Sequence, residues 1–224
     1  MSTTVAAAGM VPAAAEATTT EIGGSPTEQG KPTCPGSPCL ALTVTTGYQA
    51  SGLRRDPYLV TKPGSLVALT VALGKPNTVA PKPTTKNPKP VSQEAFFETQ
   101  FGLPSVRLTV LRPRSRRRNN FYFRVKDQSE VFQVKKYFGQ TVQFAFKTSI
   151  PVAKGDLVAL TSPTWAPVIA NGLSSATTWR AARGKPCTET SKQTARQKIG
   201  QLAQYACEYQ TARLTYSALE ISTP

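Results

Sequence analysis

Histidine does not occur among the 224 residues of this chain. Its absence excludes His-based catalytic triads, metal sites built on imidazole and the usual proton shuttle near neutral pH. Acidic residues are also few, with 12 Asp and Glu against 27 Lys and Arg. Acid–base catalysis would therefore have to use carboxylates alone, and no recognisable motif groups them.

The chain also lacks a long apolar run. No segment reaches the roughly eighteen uninterrupted apolar residues of a membrane span, so none is predicted. Apolar residues still make up 39% of the chain, which is enough to bury a core. The 19 prolines and 15 glycines favour many short strands joined by turns, and one domain is expected at this length.

Positive charge is distributed unevenly along the sequence. Three acids (Glu16, Glu21 and Glu28) precede the first base, Lys31. From Lys31 onward there are 27 bases and 9 acids, a net charge of +18. Such a body attracts polyanions such as nucleic acid, anionic cell-wall polymers or acidic lipids, and charge alone does not choose among them. A soluble protein whose surface is merely basic is the alternative.

The four cysteines are Cys34, Cys39, Cys187 and Cys207. The intervening stretches of four and nineteen residues fit poorly to a four-thiolate zinc site. An even number of cysteines in a loop-rich chain predicts two disulfides. Of the three possible connectivities, Cys34–Cys39 and Cys187–Cys207 are favoured because both close local loops. No metal and no cofactor are predicted.

The first thirty or so residues have low complexity and no periodicity. The segments 5–11 and 13–17 resemble the end of a secretory signal, although the basic region that begins such signals is missing. We therefore predict a signal remnant or disordered tail over residues 1–33 and one β-sandwich domain over residues 34–224. Together with the cysteines, this indicates a protein that is secreted or associated with the cell envelope.

The segment VAKGDLVALTSPTWAP, residues 152–167, contains the clearest predicted strand. Its short run Leu157–Leu160 is opened by a Gly-containing turn and closed by Ser162-Pro163, which is typical of a buried strand. Gly, a small polar residue and Leu-Val-Ala-Leu-Thr also occur together at residues 64–70. This echo predicts two equivalent strands around which the others pack.

Alternating apolar residues predict the remaining strands. These are Leu40–Thr46, Glu94–Gly102, Val106–Val110, Phe121–Val125, Glu130–Val134, Thr141–Phe146, Tyr205–Tyr209 and Arg213–Ile221, with a turn over Gly47–Asp56 and a short helix over Ser191–Gln204. Strand signals that recur about every ten residues predict an all-β fold. We expect an antiparallel two-sheet β-sandwich with jelly-roll-like topology and a disordered N-terminal tail.

Four segments carry a resemblance to a known group: CPGSPCLALTVTTGYQ, FGLPSVRLTVLRP, VAKGDLVALTSPTWAP and CEYQTARLTYSA. With these, the chain resembles uncharacterised secreted β-sandwich proteins of soil actinobacteria, of jelly-roll or galactose-binding-like type. The resemblance implies a secreted sandwich. It brings neither an established activity nor site residues, and the likeness of such folds to carbohydrate-binding modules is an analogy of fold alone.

The segment Arg112–Arg118 holds five arginines in seven residues and precedes a hairpin-type turn at Asn119-Asn120. Guanidinium groups bind phosphates and carboxylates in bidentate fashion, so this arginine turn is a candidate ligand-binding site. The alternative is a solvated hairpin tip that prevents edge aggregation. The predicted ligand-binding residues here are Arg114, Arg116, Arg117, Arg118 and the outward-facing Tyr122.

The two tryptophans, Trp165 and Trp179, are candidates for stacking on sugar rings, although a tryptophan in a sandwich is more often part of the core. Trp179, which is next to Arg180, is the better candidate, and the predicted site includes Trp179 and Arg180. We predict a non-enzymatic binding or structural module that contacts an anionic polymer or a glycan. Nucleic acid is not the expected partner, and the oligomeric state is left open. The alternative is a carbohydrate-active hydrolase that uses carboxylates only, such as Glu94 or Asp127.

Overall fold

A computed structural model describes residues 17–24, 30–51, 56–114, 121–183, 187 and 197–222. Within these ranges the chain forms fourteen strands, one α-helix and one short 3-10 helix. The strands are β1 (Thr18–Ile22), β2 (Leu42–Ser51), β3 (Gly64–Ala72), β4 (Ser105–Pro113), β5 (Tyr122–Gln128), β6 (Phe132–Gln133), β7 (Thr141–Val152), β8 (Leu157–Ala166), β9 (Ile169–Asn171), β10 (Thr178–Ala181), β11 (Leu202–Gln204), β12 (Cys207–Gln210), β13 (Ala212–Leu214) and β14 (Tyr216–Ser222). The helix α1 spans Gln93–Phe101, and the 3-10 helix spans Lys135–Tyr137.

The strands form two main sheets and a small additional one. The smaller main sheet has the order β1-β14-β3-β7, and the larger has the order β11-β5-β4-β8-β2-β10-β12, with β6 paired to β4. Strand β13 pairs with β9. Neighbouring strands in these sheets are antiparallel. The predicted fold class, an antiparallel two-sheet β-sandwich, is confirmed.

The larger sheet is curled. Its two edge strands, β11 and β12, are joined by only two residues, Tyr205 and Ala206, so the two edges must approach each other. Aromatic rings contact one another across the space that the curl encloses. The centre of the Tyr48 ring in β2 lies 5.3 Å from that of Phe123 in β5 and 5.5 Å from that of Tyr205. The curl therefore brings β10 and β2 close to the start of β5.

The two Leu-Val-Ala-Leu-Thr segments lie in β3 and β8, which are internal strands of opposite sheets. Their apolar side chains belong to one buried cluster with residues of β4 and β14. Polar contacts also join the layers. The Tyr216 hydroxyl of β14 donates to the Val158 carbonyl of β8 at 2.9 Å, and the Tyr58 ring stacks on Tyr216 at 4.3 Å. Burial raises the pKa of Tyr58 to about 12.

Both predicted disulfides, Cys34–Cys39 and Cys187–Cys207, are present. Cys39 closes the proline-rich loop that leads into β2, and Cys207 begins β12. The second bridge therefore ties residue 187 to an edge strand of the larger sheet. No helix in the described ranges has the length and apolar character that crossing a bilayer requires.

Strand β2 continues through Gly47, so the turn predicted over Gly47–Asp56 is wrong as far as Ser51. A Cβ atom on Gly47 would lie 2.9 Å from both Leu214 Cδ1 and Trp179 Cζ3. Glycine is therefore needed here for close packing rather than for a change of chain direction. Residues 52–55 lie outside the described ranges.

Strand β8 does not end at Ser162-Pro163 but continues to Ala166. The register of β8 against β2 passes from Thr45↔Ser162 to Thr43↔Trp165, so two residues of β8, Pro163 and Thr164, lie opposite Val44, whose φ is 39°. Pro163 thus lies in a bulge of β8 itself, where the ladder is interrupted and a missing N–H is tolerated.

The segment predicted as a strand over Glu94–Gly102 forms α1, and that prediction is wrong. The Ser92 hydroxyl accepts a hydrogen bond from the Ala95 N–H at 3.1 Å, as an N-cap does. Gly102 ends the helix with φ 84° and donates its N–H to the Glu98 carbonyl at 2.9 Å. The predicted strand over Glu130–Val134 is likewise reduced to β6 and followed by the 3-10 helix.

The chain ends also differ from expectation. Strand β1 pairs with β14 from Thr18↔Ser222 to Ile22↔Ala218, so the smaller sheet extends into the predicted tail of residues 1–33. Residues 1–16 and 25–29 lie outside the described ranges. Of the helix predicted over Ser191–Gln204, residues 191–196 also lie outside them, and its last three residues form β11 instead.

Glu220 of β14 is a buried carboxylate. The residue is 3% exposed, and its Oε1 has no hydrogen-bond partner among the described residues. Burial raises the pKa of Glu220 above its usual range. A raised carboxyl pKa means that stability is fully present below the unfolded pKa of about 4.3 and is lost as the pH rises through the folded pKa.

We therefore expect Glu220→Gln to raise the free energy of unfolding at pH 7 by about 1 kcal/mol, because the amide carries no charge. The same change should flatten the decline of stability above pH ~4. Urea unfolding at a series of pH values measures both effects. Unchanged or lower stability at pH 7 would show that the carboxylate is satisfied in solution.

Candidate functional site

The candidate site surrounds the arginine turn at the end of the β4–β5 hairpin. The two strands pair as far as Pro113↔Phe123, and the Arg114 N–H donates to the Tyr122 carbonyl at 3.0 Å. The ladder therefore reaches the base of the turn. Arg114 is exposed and Tyr122 is half-buried. The predicted ligand-binding residues Arg116, Arg117 and Arg118 lie in the segment 115–120, outside the described residues.

The register places several side chains on one outward face of this hairpin. Arg112 pairs with Arg124, and Arg114 lies opposite Tyr122. Opposite residues of an antiparallel pair point to the same face, and so do residues two apart along a strand. Arg114, Tyr122 and Arg124 therefore lie side by side. Arg124 was missed by sequence reasoning, although its alternation with Tyr122 in β5 was a sufficient signal.

Arg112, the first arginine of the run, is already bound. Its Nε and Nη2 donate to Asp156 Oδ1 and Oδ2 at 2.8 and 3.0 Å, and the Asp156 side chain is 2% exposed. Lys126 Nζ and the Ala153 N–H also donate to Oδ2, at 3.3 and 2.9 Å. Burial opposes ionisation of Asp156, yet the Arg112, Ala153 and Lys126 contacts together lower its pKa. Arg112 is thus a structural residue.

Arg180 reaches the base of the turn from the other side of the curled sheet. Its guanidinium lies 3.6 Å from the centre of the Phe121 ring, and its Nη2 donates to the Glu208 carboxylate on the neighbouring strand. The Arg180 side chain is only 13% exposed. The structure therefore places Arg180 against the hairpin, where it supports Phe121 and its charge is balanced by Glu208.

Both tryptophans are buried. Trp179 is 4% exposed and stacks on Tyr209 with 4.4 Å between ring centres, while Gly47 contacts its other side. Trp165 is fully buried, and its Nε1–H donates to the Gly102 carbonyl at 2.8 Å. Neither indole offers a free face to a sugar ring, which leaves Tyr122 as the aromatic side chain of the predicted site that is open to solvent.

The carboxylates considered for acid–base chemistry do not form a cleft. Glu94 and Glu98 lie one turn apart on α1, and both bind Lys135 Nζ, at 2.8 and 2.7 Å. Asp127 Oδ1 accepts the N–H of Gln128 at 2.8 Å. The part of the chain that the structure covers contains no group of three or more Cys, Asp and Glu side chains placed to hold a metal ion.

The inner side of the curled sheet carries a row of buried hydroxyls. Thr161 Oγ1 lies 2.7 Å from Thr46 Oγ1 and 2.6 Å from Thr109 Oγ1, so the row crosses three strands. The Tyr205 hydroxyl is buried beside Thr46 of this row. Burial raises the pKa of Tyr205 strongly, so its phenol is neutral at physiological pH. This row braces the sheet beneath the candidate site.

The chain was compared with models of protein families, with curated proteins and with solved structures, and none of them matches it.

Proposed function

We propose that this protein is a non-enzymatic binding module that contacts an anionic polymer or glycan through a basic surface at the arginine turn. The observation that carries the proposal is the state of its exposed cations. Arg112 and Arg180 are bound to Asp156 and Glu208, whereas Arg114 and Arg124 lie on the outward face with no carboxylate partner among the described residues. Surface guanidinium groups without a carboxylate partner are available to an external anion, although Arg124 Nη1 already donates one hydrogen bond, to the Gly200 carbonyl at 2.6 Å.

The arrangement favours a partner with repeated negative groups. The cations lie along one hairpin face, and the turn beyond it adds three further arginines. Tyr122 lies among them and offers an aromatic ring to a sugar. The net charge of +18 from Lys31 onward attracts such a partner over a distance. Phosphate or carboxylate groups on a polysaccharide meet these requirements, whereas a single small anion uses only part of the surface.

Secretion or attachment to the cell envelope belongs to the same proposal. Two disulfides in a chain of this size suit an oxidising compartment, where disulfides persist. The cell envelope also supplies anionic polymers at high density. Mass spectrometry of the mature protein from its native source tests this part, and an intact Met1 with reduced cysteines would contradict it.

Replacing Arg116, Arg117 and Arg118 with Ala should weaken retention on immobilised heparin or on purified cell-wall polymer. Each cation that binds a phosphate-like group adds to the salt dependence of binding, so we expect the slope of log K against log salt to fall by about 2. Elution across a salt series measures this slope.

The matched control is Lys82→Ala, Lys86→Ala and Lys89→Ala, which removes the same charge from a second proline-rich loop, the exposed one between β3 and α1 (residues 73–92). This variant should keep nearly the full slope. Equal losses in both variants would show that net charge alone governs retention, and would contradict a site at the arginine turn.

The hydrolase alternative remains a prediction that the arrangement of carboxylates does not favour, because Lys135 occupies the space between Glu94 and Glu98. Its test is the release of reducing ends from cell-wall polysaccharides. Turnover that Glu94→Gln or Asp127→Asn abolishes would support the hydrolase and overturn the binding module.

A further inference from the structure

Exposed apolar side chains concentrate in one segment of the described chain. Seven large apolar residues are well exposed, and four of them lie between residues 79 and 103. These four are Val79 (78% exposed), Val91 (57%), Phe96 (50%) and Leu103 (60%). Single exposed apolar residues are normal on a protein surface, but a local concentration of them indicates an interaction surface.

The fold brings this segment together around α1. The Asn77 N–H donates to Gln93 Oε1 at 2.8 Å, and the Glu94 N–H donates to the Asn77 carbonyl at 3.2 Å, so the start of the proline-rich loop lies against the first turn of the helix. On the inner side, the Phe97 ring stacks on Trp165 at 4.7 Å. That contact fixes the rotation of the helix and leaves Phe96 facing outward.

Lysines accompany the exposed apolar residues. Lys82, Lys86 and Lys89 are exposed in the loop between Val79 and Val91, and no described carboxylate pairs with them. The two acids of α1, Glu94 and Glu98, are both bound to Lys135. The surface therefore combines uncompensated positive charge with apolar side chains that protrude from the protein.

We propose that this α1 surface, formed by Val79, Val91, Phe96 and Leu103 with Lys82, Lys86 and Lys89, docks on a membrane that contains anionic lipids. The lysines would lie at the headgroups while Phe96 and Leu103 insert at the level of the acyl boundary. Charge complementarity selects this occupant. A soluble polyanion would not contact the four exposed apolar side chains. An apolar groove on a protein would not balance the charge of the three lysines.

The α1 surface is separate from the arginine turn and does not depend on the function proposed for it. Helix α1 and Leu103 precede the first residue of β4, and Arg114 of the arginine turn follows its last residue. Nine residues of extended chain span roughly 30 Å, so the two surfaces lie at opposite ends of the sheet.

Co-sedimentation with phosphatidylcholine vesicles, with and without phosphatidylglycerol, tests the proposal on the full chain. We expect binding to the anionic vesicles and little binding to the neutral ones. Lys82→Ala, Lys86→Ala and Lys89→Ala together should weaken binding on the order of 100-fold, because each lysine near the surface contributes appreciably. Lys62→Ala, Lys147→Ala and Lys154→Ala together remove the same charge from exposed positions outside both proposed surfaces and should leave binding nearly unchanged.

The apolar contribution is tested with Phe96→Ser and Leu103→Ser, which should weaken vesicle binding about tenfold together. Ile199→Ser is the matched control, since Ile199 is equally exposed (60%) but lies next to β11. All these residues are exposed, and thermal melting verifies that the variants fold. Lysine-dependent binding that does not respond to Phe96 and Leu103 would mean a general attraction to polyanions and would overturn the proposal. Equal binding to neutral and anionic vesicles would also overturn it.

Discussion

Replacing Trp165 with Ala should lower the free energy of unfolding by about 4 kcal/mol. Trp165 is fully buried, with its ring stacked on Phe97 at 4.7 Å and close to Phe138 at 5.5 Å. Its Nε1–H also holds the Gly102 carbonyl at the end of α1. Truncation therefore leaves a large cavity and removes the contact on which α1 rests.

Urea unfolding followed by the fluorescence of Trp179, the remaining tryptophan, measures this loss. Trp165→Phe is the control: it keeps an aromatic ring against Phe97 and gives up the hydrogen bond, so a loss of only about 1–2 kcal/mol is expected. Limited chymotrypsin digestion adds a local readout, because undocking of α1 should speed cleavage after Phe96 and Phe97 in the alanine variant alone. Equal stability of the two variants would show that the ring does not position the helix.

Replacing Asp156 with Asn should lower the free energy of unfolding at pH 7 by about 3 kcal/mol. The buried carboxylate accepts hydrogen bonds from Arg112, Lys126 and the Ala153 N–H, and an amide cannot accept them all. The side chains of Arg112 and Lys126 are 49% and 27% exposed. Water can therefore solvate both cations when the carboxylate is lost, which limits the loss of stability. The loss should loosen the β7–β8 turn and the β4–β5 hairpin together.

The pH dependence provides a second measurement. Because the folded pKa of Asp156 is lowered, its contribution is present above the unfolded pKa of about 3.9 and is lost as the pH falls through the folded value. Asp156→Asn should therefore reduce the acid destabilisation seen below pH ~4. Asp127→Asn is the control, since Asp127 is half-buried and, within the described ranges, accepts only the N–H of Gln128. An unchanged acid midpoint in Asp156→Asn would contradict the ion-pair account.

The predictions from sequence succeeded where the deciding interaction is local. Alternation along β7 matches the side of the strand that is buried, and this depends only on residues two apart. Strand β4 is instead buried on both faces, and Thr109, which alternation places outside, is fully buried. The disulfide pairs also close short loops, so proximity in sequence was a sound guide. These features were enough for the fold class, although not for the order of strands in the sheets.

The wrong predictions concern residues whose usual role in local structure differs from the role that tertiary packing gives them. Gly47 was interpreted as a turn residue, but its missing side chain makes room for Leu214 and Trp179, which are remote in sequence. Pro163 is predicted to end a strand, but it lies in a bulge of β8, where the ladder to β2 is interrupted. The helix α1 was predictable in part, because Ser92 and Gly102 are ordinary capping residues on either side of it.

At the candidate site too, the local features were predictable from the sequence and the contacts between distant residues were not. That Arg114 and Tyr122 lie close together follows from the hairpin pattern, and the outward position of Arg124 follows from alternation. The contact of Arg180 with Phe121 depends on the curl of the larger sheet, and the occupation of Arg112 depends on Asp156, forty-four residues away. Sequence alone shows how many arginines there are. The fold decides which of them are free.

The first and last strands of the chain are partners, because β14 lies between β1 and β3 with Thr18 paired to Ser222. The smaller sheet therefore cannot be completed during synthesis until the ribosome has released the C-terminal residues. Its closing contacts span almost the whole chain, and contacts of such long range make folding slow. The smaller sheet of a nascent chain consequently stays incomplete until β14 is free to pair with both β1 and β3.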